Sequence, residues 1–193
     1  MTLILASGSP IRRQMLEQAG VEHRVIAPEI DESVMKTALL GPAVIAAGLA
    51  RAKAIAVSQA WPEAWVIGSD SIVTVEGRRF DKPVLRENAA EHLRFFSGKA
   101  MTLTSAVALA RGGELDWAVS DEAELRVRHL SDDFIESYLD REWPEVAYCV
   151  GVFRMEGMGV QLFEQVEGSY FTILGMPLLP LLGALRVRGL AAS

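Results

Sequence analysis

The strand and turn at the start of the chain constrain its fold most. Leu3-Ile4-Leu5 is an unbroken apolar run, and Ala6-Ser7-Gly8-Ser9-Pro10-Ile11-Arg12-Arg13 breaks it with small residues before a helix begins. Three apolar residues in a row predict a buried strand. Ser9 is a good N-cap, and Pro10 stands at the first helical position, where its fixed φ and missing N–H are tolerated best. From Pro10 to Ala19 the residues Ile11, Met15, Leu16 and Ala19 share one face, and Gly20 can close the helix. A strand, a small-residue loop and a helix start deliver backbone N–H groups to one point, which is how phosphate sites are built. Arg12 and Arg13 sharpen this reading. Cations oppose the dipole at a helix start, so two of them there fit an anion held between them and the amides. A solvated arginine pair after an ordinary βα turn has the same sequence, and both readings stand at this level.

A chain of 193 residues, half of them hydrophobic, predicts one domain, or one domain in two lobes, with a sizeable core. The formal charge is −6, from 19 basic and 25 acidic residues, so a general affinity for nucleic acid or an anionic membrane is not expected. Basic residues should matter where they cluster. Cys149 is the sole cysteine, which excludes an internal disulfide and any Cys-based zinc site. Met1-Thr2-Leu3 lacks a basic n-region, the apolar run ends at Ala6, and no apolar run approaches a membrane span. A soluble cytoplasmic protein is the expectation.

Along the chain, Glu22 to Pro28 reads as a second strand and Ala27 to Glu32 as an acidic turn, for which a solvated loop is the bland reading. Pro42 to Gln59 is a strong helix carrying Arg51 and Lys53; a helix lysine is usually solvated. Trp65 to Asp70 is a buried strand ending in small residues and a carboxylate, the position where open α/β sheets carry their sites, although an Asp capping a turn looks alike. Ile72 to Val75 reads as a further strand. Lys82 precedes Pro83 and is held extended. Asn88 to Phe96 is a helix with Gly98 as its cap, and Met101 to Ala110 turns at Gly112-Gly113 into Glu114 to Val127 as a long antiparallel hairpin. Ser131 caps a helix reaching Tyr138 or just beyond, with Asp132 and Asp133 in its first turn. Tyr148 to Val160 is apolar and broken by glycines, as in segments that bring backbone near a ligand or in bulged core strands. Gly168-Ser169-Tyr170 is a small-residue turn, and Pro177 to Leu185 is a C-terminal helix. Alternating helices and strands followed by a hairpin predict a mixed-sheet α/β protein.

Neither a Walker A lysine motif nor a complete Gly-x-Gly-x-x-Gly is present, and His23, His92 and His129 are far apart in contexts that look like surface. A serine nucleophile would lack an obvious base. The remaining cations are Arg12, Arg13, Lys53, Lys82 and Lys99, and the remaining acids are Glu32 and Asp70. Cations and backbone amides neutralise a polyphosphate; carboxylates hold Mg²⁺ or Mn²⁺ and activate a water. The set fits hydrolysis of a phosphoanhydride. Spacing alone does not show that these groups converge.

These stretches resemble the Maf family of nucleoside triphosphate pyrophosphatases. Ser7, Ser9, Pro10, Arg12 and Arg13 match its Ser-x-Ser-Pro-x-Arg-Arg; Lys53 matches a lysine on its second helix; Gly68-Ser69-Asp70 matches a strand ending Gly-[Ala/Ser]-Asp. Lys82-Pro83, Ser97-Gly98, Gly168 to Tyr170 and Gly175-Met176-Pro177-Leu178 follow in the family's order, so the likeness covers nearly the whole chain. The resemblance implies an elongated mixed sheet flanked by helices, in two lobes with a nucleotide cleft (Maf/ITPase-like), formed by residues 1–193 as a single domain. It implies cleavage between the α and β phosphates with a divalent metal, Mg or Mn, a small-molecule nucleotide as partner, and often a homodimer. By the same resemblance, Ser7, Ser9, Arg12, Arg13, Lys53 and Lys82 would bind the triphosphate and the leaving pyrophosphate. Asp70 would act as general base, and Glu32 with Asp70 would place the metal or the water.

Position 71 is Ser where relatives more often carry Thr or Gln, and Val150 and Val152 replace smaller residues; by the resemblance both departures lie near the base and bear on substrate identity more than on the reaction. Arg154-Met155-Glu156-Gly157 looks like the 7-methyl-GTP branch of the family, whereas the pyrimidine branch carries Gln at the position of Glu156. The Ala27 to Glu32 stretch and Cys149 also resemble that branch. An ionised Glu only accepts hydrogen bonds, and guanine offers N1–H and its 2-amino group side by side as donors. Methylation at N7 strengthens the N1–H donor, and uracil flanks its one donor with acceptors that repel a carboxylate. Ile11 and Ser71, at positions that vary with specificity among relatives, are expected to line the same pocket. Three alternatives remain at this level: Glu156 as a surface acid or metal ligand, a dTTP/UTP pyrophosphatase of the same family, and a nucleotide-binding regulator of septum formation without turnover. Retention of Asp70, Lys53 and Lys82 argues against the last, since a pure binder needs no general base.

Overall fold

The protein is described from a computed structural model covering residues 1–37 and 41–192. Strand β1 (Leu3–Ala6) is fully buried, as its apolar run predicts, and leads through Ser7-Gly8-Ser9 into α1 (Pro10–Gln18). The second strand is far shorter than expected: β2 is only Arg24–Val25, both exposed. Only Ile4 and Leu5 of β1 pair with it, in parallel, before Pro28 and the acidic stretch lead the chain away. A short helix the sequence did not announce, α2 (Ser33–Thr37), precedes α3 (Pro42–Ala60).

Trp65 to Val75 is one continuous strand, β3, not two. The β-branched run Ile72-Val73-Thr74-Val75 carries pairing past the small residues. Its register against β1 runs in parallel from Leu3↔Trp65 to Ala6↔Gly68. Asp70 therefore lies in mid-strand, not at a strand end. It does lie two residues beyond the point where its neighbour β1 stops. β4 (Arg78–Phe80) folds back antiparallel onto β3, and α4 (Arg86–Phe96) follows. The hairpin holds: β5 (Ala100–Arg111) and β6 (Glu114–Val127) are neighbours joined by Gly112 and Gly113, at φ +60° and +83°, values that suit glycine in a two-residue turn. Helix α5 (Asp132–Glu142) is capped by Ser131, whose Oγ accepts from the Phe134 N–H. The Tyr148–Val160 segment contains no strand; it is turns between two 3-10 segments, Glu145–Tyr148 and Met158–Leu162. β7 (Phe163–Glu167) pairs antiparallel with β6, and α6 (Tyr170–Ile173) and α7 (Leu178–Val187) complete the chain.

The result is the expected mixed α/β architecture: a seven-stranded sheet in the order β2-β1-β3-β5-β6-β7, with β4 on β3 and helices flanking it. The chain divides into two compact units, and β3, β5 and β6 each run through both. The first comprises residues 1–71, 104–121 and 170–193; its core joins Leu5, Leu16, Ile67, Leu109, Met176 and Leu181. The second comprises residues 72–103 and 122–169. There Phe80 meets His92 and Phe96 edge-on, and Arg86 ties α4 to α5 through Glu136 at 2.7 Å and Asp140 at 2.6 Å. His92 is thus half-buried among aromatic rings and not a surface histidine. Helix α3 also departs from expectation: its 19 residues and mean hydropathy of 1.2 suffice by length and composition to cross a membrane. It is a core helix, with Ile45, Leu49, Ala50, Lys53, Ala54 and Val57 buried against the protein.

Candidate active site

A missing side chain builds the centre of the site. Gly68 lies on β3 under α3, and a Cβ there would stand 2.2 Å from the Ala50 carbonyl oxygen and 2.6 Å from the Ala54 nitrogen. Only glycine lets helix and strand approach this closely. The approach brings Lys53, one residue before Ala54, onto Asp70, two residues beyond Gly68 and on the same face of the strand. Lys53 Nζ donates to Asp70 Oδ1 at 2.5 Å and stands 2.7 Å from Glu32 Oε1. Glu32 Oε2 meets Lys36 at 2.6 Å across one turn of α2. Lys53 and Asp70 are both under 10 % exposed, so this lysine is not the solvated helix lysine its type suggests. Partial burial works against the charge of Glu32, yet hydrogen bonds from Lys36 and Lys53 and their charges hold its pKa down to about 2.

Arg12 forms the second part. Its Nε donates to the Gly175 carbonyl at 2.8 Å, Nη1 to the Ser69 carbonyl at 3.0 Å and to Ser7 Oγ at 3.5 Å, and Nη2 to Ser71 Oγ at 2.9 Å. Four of a guanidinium's five N–H groups are thereby engaged within the protein. Burial lowers its pKa, opposed by the charges of Asp70 and Glu32; an arginine remains protonated regardless. Ser7 is buried and its Oγ accepts from the Ser9 N–H at 3.1 Å. Ser9 holds the N-cap position of α1, but its side chain makes no capping bond. Arg13 points outward, exposed, with Glu17 at 2.7 Å. Ser71 Oγ also bonds Ser105 Oγ at 2.8 Å, and Ser105 lies 2.8 Å from the Thr172 carbonyl. Ile11, expected beside the base, packs against the apolar core of its unit.

Gly175 is a member of this cluster that residue chemistry did not single out. Its carbonyl accepts from Arg12, from Ser69 Oγ at 3.0 Å and from Ser71 Oγ at 3.1 Å, at φ +102°. The only sequence signal for it is a glycine before Met176-Pro177.

The remaining candidates lie in the second unit. Lys82 is exposed just after β4, and Glu156 is exposed on the turn between the two 3-10 segments. The Cys149 thiol is pushed up to about 11, by burial first and then by Glu156, with Arg154 and Lys82 pulling the other way. Those charges therefore share one neighbourhood. Ser97-Gly98 is a structural turn: Ser97 Oγ accepts from the Leu130 N–H at 2.8 Å. Lys99 Nζ sits 3.7 Å from the Phe95 ring centroid and 3.2 Å from Glu76, a surface pairing.

Among the described residues no three His, Cys, Asp or Glu side chains gather for a metal. Glu32 and Asp70 do converge, each within 2.7 Å of one ammonium. Mg²⁺ is commonly held by one or two carboxylates with waters and substrate phosphates completing its octahedron. This donor set fits that arrangement, not a metal cage made of protein alone.

The profile of a family described as Maf-like protein matches residues 2–188. The chain belongs to the Maf family. A 7-methyl-GTP pyrophosphatase of Rhizobium etli is 46 % identical to it over 191 residues, 97 % of this chain and 96 % of that protein. A nucleoside triphosphate pyrophosphatase of Granulibacter bethesdensis is 44 % identical over 190 residues, 96 % of each. Among solved structures, a nucleoside-triphosphatase (dITP/XTP pyrophosphatase) of Mycobacterium abscessus aligns loosely with this Maf chain, at TM-score 0.42 and 19 % identity over 67 % of it and 76 % of that protein.

Proposed function

We propose that this Maf protein hydrolyses the α–β phosphoanhydride of a nucleoside triphosphate to a nucleoside monophosphate and pyrophosphate, with 7-methyl-GTP as preferred substrate. Its family and the names of its relatives make it a nucleotide pyrophosphatase, a hydrolase of acid anhydrides. One observation carries the chemistry: Lys53 Nζ is held between Asp70 and Glu32, next to the strand from which Arg12 is anchored. Arg12 and Lys53 set cationic charge beside these two carboxylates, which favours an incoming triphosphate.

In this reading the Ser7-Gly8-Ser9 loop, the start of α1 and the outward Arg13 bind phosphate oxygens. Arg12 acts chiefly by fixing that loop and lending its charge. Asp70, oriented by Lys53, takes the proton of the water that attacks the α phosphorus. The bond to the bridging oxygen breaks, and that oxygen leaves with its electron pair on pyrophosphate. Lys53 and Lys82 stabilise the charge that grows there. Glu32 and Asp70 would hold the divalent cation, Mg or Mn, which supplies Lewis-acid charge when bound. Glu156 accepts from N1–H and the 2-amino group of the guanine, with Ser71 and Ile11 assigned to the base pocket on the strength of the resemblance. The family profile runs through both compact units, which supports reading residues 1–193 as one functional domain. Removal of modified nucleotides from the pool would place the protein in the cytoplasm.

Pyrophosphate release from 7-methyl-GTP, GTP, UTP and dTTP with Mg²⁺ or Mn²⁺ tests this. The expected result is the highest kcat/KM for 7-methyl-GTP, and a gap over UTP that E156Q narrows by roughly 10- to 100-fold, equivalent to about 1.5–3 kcal/mol for a hydrogen bond to a charged group. Best turnover of UTP or dTTP refutes the base assignment alone. Tight nucleotide binding with no release from any substrate refutes the enzymatic reading and favours a regulator.

A further inference from the structure

Helix α5 buries an acid that the proposed chemistry does not use. Glu142 has a side chain only 6 % exposed, one helical turn beyond the fully buried Tyr138. Both reach the glycine-broken segment of their own unit. The Tyr138 hydroxyl donates to the Val152 carbonyl at 3.0 Å, at a residue held at φ +59°, a strained conformation for a β-branched side chain. Glu142 Oε2 accepts from Arg154 Nε at 3.0 Å, and Glu142 Oε1 accepts from the Met158 N–H at 3.3 Å. One carboxylate thus closes both ends of the turn Arg154-Met155-Glu156-Gly157-Met158. The fit leaves little slack, because a Cβ on Gly157 would stand 3.3 Å from Arg154 Nη2 and 3.5 Å from each Glu142 oxygen. Glu156 is the exposed residue of the closed turn, the other four being partly buried.

We propose that Glu142 is a positioning residue for base selection: it holds the Arg154–Met158 turn so that Glu156 presents its carboxylate in one orientation. This rests on the assignment of Glu156 to the base. A buried carboxylate is costly unless it is paired and hydrogen-bonded, and here both oxygens are engaged on the one turn. A carboxylate on a mobile turn accepts from many donors with little discrimination; one fixed against two adjacent donors separates guanine from uracil.

The test is a double-mutant cycle on E142Q and E156Q, read as the ratio of kcat/KM for 7-methyl-GTP to that for UTP. Because both rates come from one preparation, the ratio is independent of the fraction folded. E142Q keeps the side-chain volume and one acceptor but loses the charge that holds Arg154. It is expected to lower the ratio about tenfold, mainly through KM for 7-methyl-GTP, and to change it by less than about twofold in the E156Q background. Hydrogen exchange at 154–160 should quicken in E142Q while that of α4 does not. If E142Q is too poorly folded to assay, R154M removes the cation from the same contact and should lower the ratio likewise. A wild-type ratio in E142Q alongside a reduced ratio in E156Q overturns the positioning role and leaves the base assignment intact. An equal loss from E142Q with and without Glu156 also overturns it. An unchanged ratio in E156Q itself removes Glu156 from the base, and the role of Glu142 falls with it.

Discussion

Replacing Gly68 by alanine adds one methyl group where the protein has no room. The new Cβ would meet the Ala50 carbonyl oxygen at 2.2 Å and the Ala54 nitrogen at 2.6 Å, both backbone atoms in mid-helix that no rotamer change can move aside. Helix α3 must lift by roughly 1 Å to restore van der Waals separation. Overpacking a core costs about 1–3 kcal/mol, and a backbone obstacle puts this case at the upper end, about 3 kcal/mol. For a chain of this size that lowers Tm by roughly 6–12 °C. The same lift draws Lys53 away from Asp70, which it meets at 2.5 Å across this contact of helix and strand. A misplacement of about 1 Å can cost about a hundredfold in turnover. Thermal unfolding and pyrophosphate release, measured on the same G68A preparation and normalised to folded protein, check both numbers. Wild-type Tm and wild-type turnover would refute the claim that glycine at 68 sets the site. Loss of stability with full activity per folded molecule would separate the packing from the chemistry.

D70N keeps the shape of the side chain and removes the base, so turnover should fall by about 10²–10⁴-fold while nucleotide affinity, read by isothermal titration, changes little; near-normal turnover would remove Asp70 from that role. Glu32, held at about 2 against an ordinary 4.5, binds its proton more readily when unfolded, so its contribution to stability is complete above about pH 4.5 and is lost as pH falls toward 2. Urea unfolding across that window should show a smaller loss in K36M than in the wild type, because one of the two ammonium partners is gone; an identical acid limb in both would contradict the pairing.

Much of this was legible in the residues. Leu3-Ile4-Leu5 and the small-residue loop gave β1 and the start of α1, and Ser131 gave the cap of α5. The glycine pair at 112 and 113 gave the hairpin. Burial of Lys53 was not legible, because helix periodicity places a lysine on a face without saying what covers that face, and here the close approach at Gly68 sets it on Asp70 while Glu32 meets the same ammonium. The continuity of β3 was missed for a related reason: small residues at 68–71 look like an ending, whereas strand pairing and the following β-branched run carry them through. Glu22 to Pro28 failed in the opposite sense, having strand-forming residues but almost no partner to pair with. Gly175 and Glu142 act through contacts 163 and 12 residues distant in sequence, to Arg12 and Arg154; the Gly175-Met176-Pro177-Leu178 pattern marks the first without saying what its carbonyl holds, and no local pattern announces the second.

The carbonyl of Gly175 that anchors Arg12 belongs to the last tenth of the chain, whereas Arg12 belongs to the first. During synthesis the N-terminal loop leaves the ribosome long before its anchor exists. A chain cut before residue 170 has the Ser7-Gly8-Ser9 sequence but not the Gly175 carbonyl that holds Arg12 Nε. Loss of the 170–193 stretch therefore reaches the N-terminal loop without altering a single residue in it.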